Sequence, residues 1–164
     1  MSLGYELEQQ PPRLMVFDEQ HRRLTDTDAI DRLFAAGHQF EAAAAQAMIV
    51  EGLTTQYLVL HIHMRHQKMV ERSGRLARLT GKITFGRAVS LLISSNVLHS
   101  PSLPDDLNRY VTMRNTIAHE LVGSSADVNL TDFMALGRRL IAELAPYVLG
   151  VVEKANATYT VKHT

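Results

Sequence analysis

The stretch that decides the fold is Leu103-Pro-Asp-Asp-Leu107-Asn-Arg-Tyr-Val111-Thr-Met-Arg114-Asn115-Thr-Ile117-Ala118-His119-Glu-Leu121. Leu107, Val111, Ala118 and Leu121 recur at spacings of three, four and their sums, the period of one helix face. Ser102 is a candidate N-cap, and Asp105 and Asp106 suit the positive end of the helix. Arg114 falls within the apolar stripe, where a cation is costly without a partner or an opening to water. Asn115 and His119 are four apart and face one way. A cation, an amide and an imidazole therefore gather within two turns.

Outward from this helix the pattern stays helical. Upstream, Ala88, Val89, Leu91, Leu92, Ile93, Val97 and Leu98 follow Thr84 as a short, nearly all-apolar third helix that should be central and buried. Before it, Leu58, Ile62, Met69 and Leu76 stripe a second helix over about 54–79. The first helix starts at Thr27 or Asp28, with Ile30, Leu33, Phe34, Phe40, Ala44, Ala47 and Met48 as its apolar set; Gly52 ends it or lies inside a longer helix. Downstream, a fifth helix from near Thr131 carries Phe133, Leu136, Leu140, Leu144, Tyr147 and Val151, with a kink expected at Pro146. No segment alternates with period two. The expectation is an all-α, up-and-down bundle of about five helices in one domain over residues 27–156. An irregular N-terminal extension over 1–26, broken at Pro11-Pro12, precedes it, and a frayed tail over 157–164 follows.

Composition narrows the function classes. The 164 residues are 46% apolar and 21% charged, ordinary for one folded domain. No apolar run reaches the roughly 20 residues needed to cross a bilayer, and 1–13 lacks the apolar core of a secretory signal. Cys is absent, which removes disulfide and thiolate chemistry and fits a cytoplasmic protein. The charge balances at 17 basic and 17 acidic residues, unlike a strongly basic nucleic-acid binder. The balance hides a basic segment: residues 64–87 hold seven Lys/Arg and one acid. Within it Arg65, Lys68, Arg72 and Arg75 recur at three, four, three, a stripe that can track an RNA backbone or serve as a solvated face. His63 and His66 are three apart on the same helix, but His61 points elsewhere and no acid completes a site, so no metal and no cofactor are expected.

Arg114-Asn115-Thr116-Ile117-Ala118-His119 resembles the signature of the HEPN family: an Arg, a polar residue, a short spacer and a His on a late helix of a compact bundle. Gly81-Lys-Ile-Thr-Phe-Gly86, the apolar helix after it and Leu103–Tyr110 are similar as well, so the resemblance covers roughly residues 27–155. It implies a metal-independent endoribonuclease, acting as a homodimer with two motifs across one cleft, in a toxin–antitoxin or phage-defence setting with an antitoxin or regulatory protein as partner. In that reading His119 is the general base on a ribose 2′-OH, suited by an unperturbed imidazole pKa of about 6.5. Arg114 holds the phosphate and stabilises the transition-state charge, and Asn115 orients the His or the phosphate. Some toxin members carry a Tyr two residues after the His; Leu121 stands there here, so control through that Tyr is not implied. Many members are non-catalytic binding or regulatory modules, which is the alternative function. A purely structural reading of the same residues pairs Arg114 with a carboxylate and His119 with a backbone carbonyl.

Overall fold

A computed structural model describes residues 27–65, 83–120 and 129–162. Five helices make up these residues: α1 (Thr27–Ala35), α2 (Gln39–Arg65), α3 (Phe85–Ser94), α4 (Leu103–Glu120) and α5 (Leu130–Lys162). No strand occurs among them, so the all-α bundle expected from periodicity is present. One buried cluster draws on all five helices, and α2 packs most extensively on α5 and α1. The extension at 1–26 lies outside the described residues. So do 66–82, which include the end of the helix expected over 54–79.

The first break falls earlier than the sequence pattern suggests. Gly37 takes φ +94° and ends α1. Its N–H donates to Phe34 O at 3.1 Å and that of His38 to Leu33 O at 3.2 Å, the paired bonds of a Schellman cap. A side chain at Gly37 would be strained, so the glycine decides the stop. Gly52 does not stop a helix; α2 passes through it with the residue on its exposed side. Breaking at Gly37 also rotates the inward face. Ala42, Ala43, Gln46, Val50, Leu53, Thr54 and Tyr57 are buried, whereas Phe40, Ala44 and Met48 of the expected stripe are exposed.

The remaining elements follow the sequence more closely. Ala88, Val89 and Leu92 of α3 are buried as expected, whereas Leu91 and Ile93 are half-buried, and Val97 and Leu98 lie past the helix end at Ser94. The Ser102 carbonyl accepts from the Asp106 N–H, but its hydroxyl turns to Ser100 Oγ at 3.0 Å instead of capping α4. Asn129 caps α5, its Oδ1 accepting from the Asp132 N–H at 3.1 Å. Helix α5 runs unbroken through Pro146, whose ring is exposed, and on to Lys162, past the expected boundary at 156. Ala157-Thr-Tyr-Thr-Val-Lys162 holds no Gly or Pro to end it.

Two buried polar junctions fix how the helices meet. Gln46 of α2 is fully buried; its Nε2 donates to Met134 O at 2.9 Å, and its Oε1 accepts from Tyr110 Oη at 3.4 Å. Tyr110 stacks on Phe133 with centroids 4.5 Å apart and meets the edge of Phe85 at 6.2 Å, joining α3, α4 and α5. Gly137 of α5 lies directly against the Gln46 amide. At the other junction Tyr57 stacks on Tyr147, and Tyr147 on His99, each with centroids 4.5 Å apart. Tyr57 Oη donates to Val97 O at 3.0 Å and accepts from the His99 N–H at 3.1 Å. Burial pushes the Tyr57 phenol above its ordinary pKa, keeping that donor protonated. Tyr57→Phe leaves the Val97 carbonyl and the His99 amide without this partner, so a loss of about 1–3 kcal/mol is expected. Urea denaturation of the two proteins measures it, and equal midpoints would show that water replaces the phenol.

Candidate functional site

The candidate site lies on the C-terminal half of α4. Leu103, Leu107, Tyr110 and Ile117 lock one face of this helix into the core. Arg114 is one turn past Tyr110 and one turn before Ile117, so its stem starts at the buried face and its head emerges at the α2–α4 seam. The side chain is 40% exposed. Nη2 lies 3.5 Å from Glu51 Oε2, and Nη1 donates to Asn115 Oδ1 at 3.4 Å. The Arg114 charge acts against the upward push that burial gives the Tyr110 phenol.

Asn115 and His119 face outward, and both are exposed. Among the described residues His119 makes no hydrogen bond or ion pair. The structure thus brings Arg114 together with Asn115 and Glu51, and not with His119. At about 100° per residue, positions 114 and 119 diverge by roughly 140° around the helix. Of the purely structural reading, the carboxylate partner for Arg114 is present and the carbonyl partner for His119 is not. The apolar stripe needs amending: Ala118 is exposed and Val111 half-buried, Tyr110 and Ile117 take the inward places, and Leu121 lies outside the described residues.

Glu51 is the residue that reading the chain missed. It sits on α2, 63 positions from Arg114, and only the fold, which brings side chains of α2 and α4 within reach of each other, reveals the pair. Both partners are more than a third exposed and the contact is long, so the pair adds little stability, within about 1 kcal/mol. Its consequence is geometric: with Asn115 it orients the guanidinium, whose side chain remains 40% exposed.

Arg65 closes α2, but its side chain, Lys68, Arg72 and Arg75 lie outside the described residues, as do the side chain of His63 and all of His66. No group of three or more metal-binding side chains occurs among the described residues. No described helix is long and apolar enough to cross a membrane. A recess of about 370 Å³, lined by Leu92, Asn96, His99 and Pro104 among others, opens beside the start of α4. The 15 residues from Pro104 to His119 span roughly 22 Å of helix, so the recess is separate from the Arg114 region. No family model matches the chain, and comparison with curated proteins and with solved structures finds no significant similarity.

Proposed function

We propose that the chain is a HEPN-type, metal-independent endoribonuclease that works as a homodimer. The observation that carries this reading is the exposure of Asn115 and His119, with the half-exposed Arg114 head beside them, over the last two turns of a helix that Tyr110 and Ile117 fix in the core. A rigid helix with three solvent-facing polar groups suits a site that must meet a polymer. His119 has no internal partner competing for its ring among the described residues.

In the proposed reaction His119 takes the proton of a ribose 2′-OH. The 2′-oxygen attacks the adjacent phosphorus, and the 5′-oxygen of the next nucleotide leaves and is protonated. Arg114 engages the non-bridging oxygens, where charge builds, and Asn115 steadies the guanidinium. The phosphate then shares Arg114 with Glu51, whose 3.5 Å contact is loose enough to yield. Arg65, Lys68, Arg72 and Arg75 serve as the track for the RNA backbone. A cytoplasmic toxin or phage-defence effector, restrained by a partner protein, is the setting that suits this activity.

The Arg114–Glu51 pair favours one other reading, a non-catalytic module in which the arginine stitches α2 to α4. Product chemistry separates the two. Cleavage is expected to leave a 2′,3′-cyclic phosphate and a 5′-hydroxyl, to persist in EDTA, and to stop when the sugar at the cut site is 2′-deoxyribose. Mass spectrometry of the ends of a short oligoribonucleotide checks this. Cleavage that needs a divalent metal, or intact RNA at every enzyme concentration, leaves the binding module as the function.

A further inference from the structure

Phe40 and Met48 are the large apolar side chains that the described residues leave exposed, at 47% and 76%. With Ala44 and Gly52, also exposed, they form a single i, i+4 row along the outer face of α2. The row carries no charge. Beside it, His38 lies 3.8 Å from Glu41, and Glu51 is paired with Arg114 at 3.5 Å. An uncharged row with polar flanks has the anatomy of an interface core and polar rim. It fits an uncharged partner better than a basic or acidic one.

The order of sizes along the row identifies that partner. Read from residue 40, it runs large, small, large, small: Phe40, Ala44, Met48, Gly52. Two helices whose i, i+4 rows interdigitate cross at about −50°, which lays the rows side by side. Under a two-fold axis perpendicular to the rows and centred between Ala44 and Met48, they run in opposite directions, so Phe40 of one chain meets Gly52 of the other, and Met48 meets Ala44; an axis along the rows would set large against large. Every large side chain then faces a small one in a surface that is its own complement, as a closed dimer requires. We infer that the outer face of α2 is a two-fold interface with a second copy of this chain, centred on the Phe40–Ala44–Met48–Gly52 row. Glu51 is the neighbour of Gly52 in sequence, so each Arg114 lies near one end of this interface, and the two are separated by the length of the row, roughly 18 Å.

The inference goes beyond the ribonuclease reading and does not depend on it, and its test reads association, not cleavage. Full-length protein is expected to be dimeric by light scattering. Met48→Asp places a charge at the interface core and should weaken association at least about thirtyfold, the ratio that about 2 kcal/mol at a central contact represents. Because Met48 is exposed in one chain, far-UV circular dichroism should be unchanged. The chain has no Cys, so register is tested by mixing Ala44→Cys and Met48→Cys proteins under oxidation; the mixture should cross-link more than either protein alone. A dimer unaffected by Met48→Asp would overturn the inference. So would a monomer at all concentrations, whether the thiol introduced at 48 reacts freely, as on a bare face, or is protected by residues 1–26 of its own chain. A Met48-dependent dimer without ribonuclease activity keeps the interface and ends the catalytic reading. An active monomer does the reverse.

Discussion

His119→Ala is expected to lower RNA cleavage by roughly 10²–10⁴-fold, the range that a positioned general base contributes. The fold should survive, because the ring is exposed and makes no described hydrogen bond or ion pair. Arg114→Lys should fail comparably: an ammonium is a point charge and cannot present two parallel donors to a phosphate. It can still approach Glu51, so the α2–α4 seam is kept while the fork is lost. That difference distinguishes transition-state stabilisation from stitching. Single-turnover assays on a gel, alongside thermal melts of the same preparations, measure both quantities. Cleavage that persists at the wild-type rate in His119→Ala would remove the mechanism. A large loss of stability with no change in rate in Arg114→Ala would assign the arginine to structure.

The largest stability effect is expected at Gly137. A methyl group there would overlap the Gln46 side-chain amide, which is fully buried and bonded to Met134 O. Ala has the better helix propensity by about 1 kcal/mol. Against that stand overpacking, at about 1–3 kcal/mol, and a displaced amide whose partners go unsatisfied, at a further 1–3 kcal/mol. The cost dominates, and Gly137→Ala should destabilise by about 1–5 kcal/mol. Urea unfolding followed by circular dichroism gives the value. Removing the obstacle should reverse the sign of the local effect: in a Gln46→Ala background the same glycine substitution is expected to be neutral or stabilising. Additive costs in the double variant would mean that the two residues do not compete for one space.

Helix existence was legible from periodicity, and faces were less so. Helix α3 is mostly apolar, but Arg87, Ser90 and Ser94 share one outward face, and Ala88, Val89 and Leu92 take the inward one. The first half of α2 misled because Phe40, Ala44 and Met48 satisfy a helical apolar period yet face out, while the inward face uses Ala42, Ala43 and the amide of Gln46. Hydrophobicity cannot nominate a glutamine for the core. What admits it is Gly137, 91 positions away, which lets α5 approach closely enough to offer a carbonyl. The candidate site divides in the same way. Arg114, Asn115 and His119 are neighbours in sequence and visible as a motif. Glu51 joins them only once the fold brings side chains of α2 and α4 within reach of each other, and no local pattern announces that contact.

The Tyr57–Tyr147–His99 stack has a practical consequence. The chain contains no Trp, so tyrosine dominates its near-ultraviolet optical activity. Two of the five tyrosines are held nearly parallel against each other, and a third, Tyr110, is clamped on Phe133. Rings immobilised in a chiral setting produce a dichroic band, and freely rotating rings do not. The protein therefore carries its own label-free reporter of tertiary order, with chromophores on α2, α4 and α5. Comparing that band with the far-ultraviolet helical signal would reveal whether the bundle loosens before its helices melt.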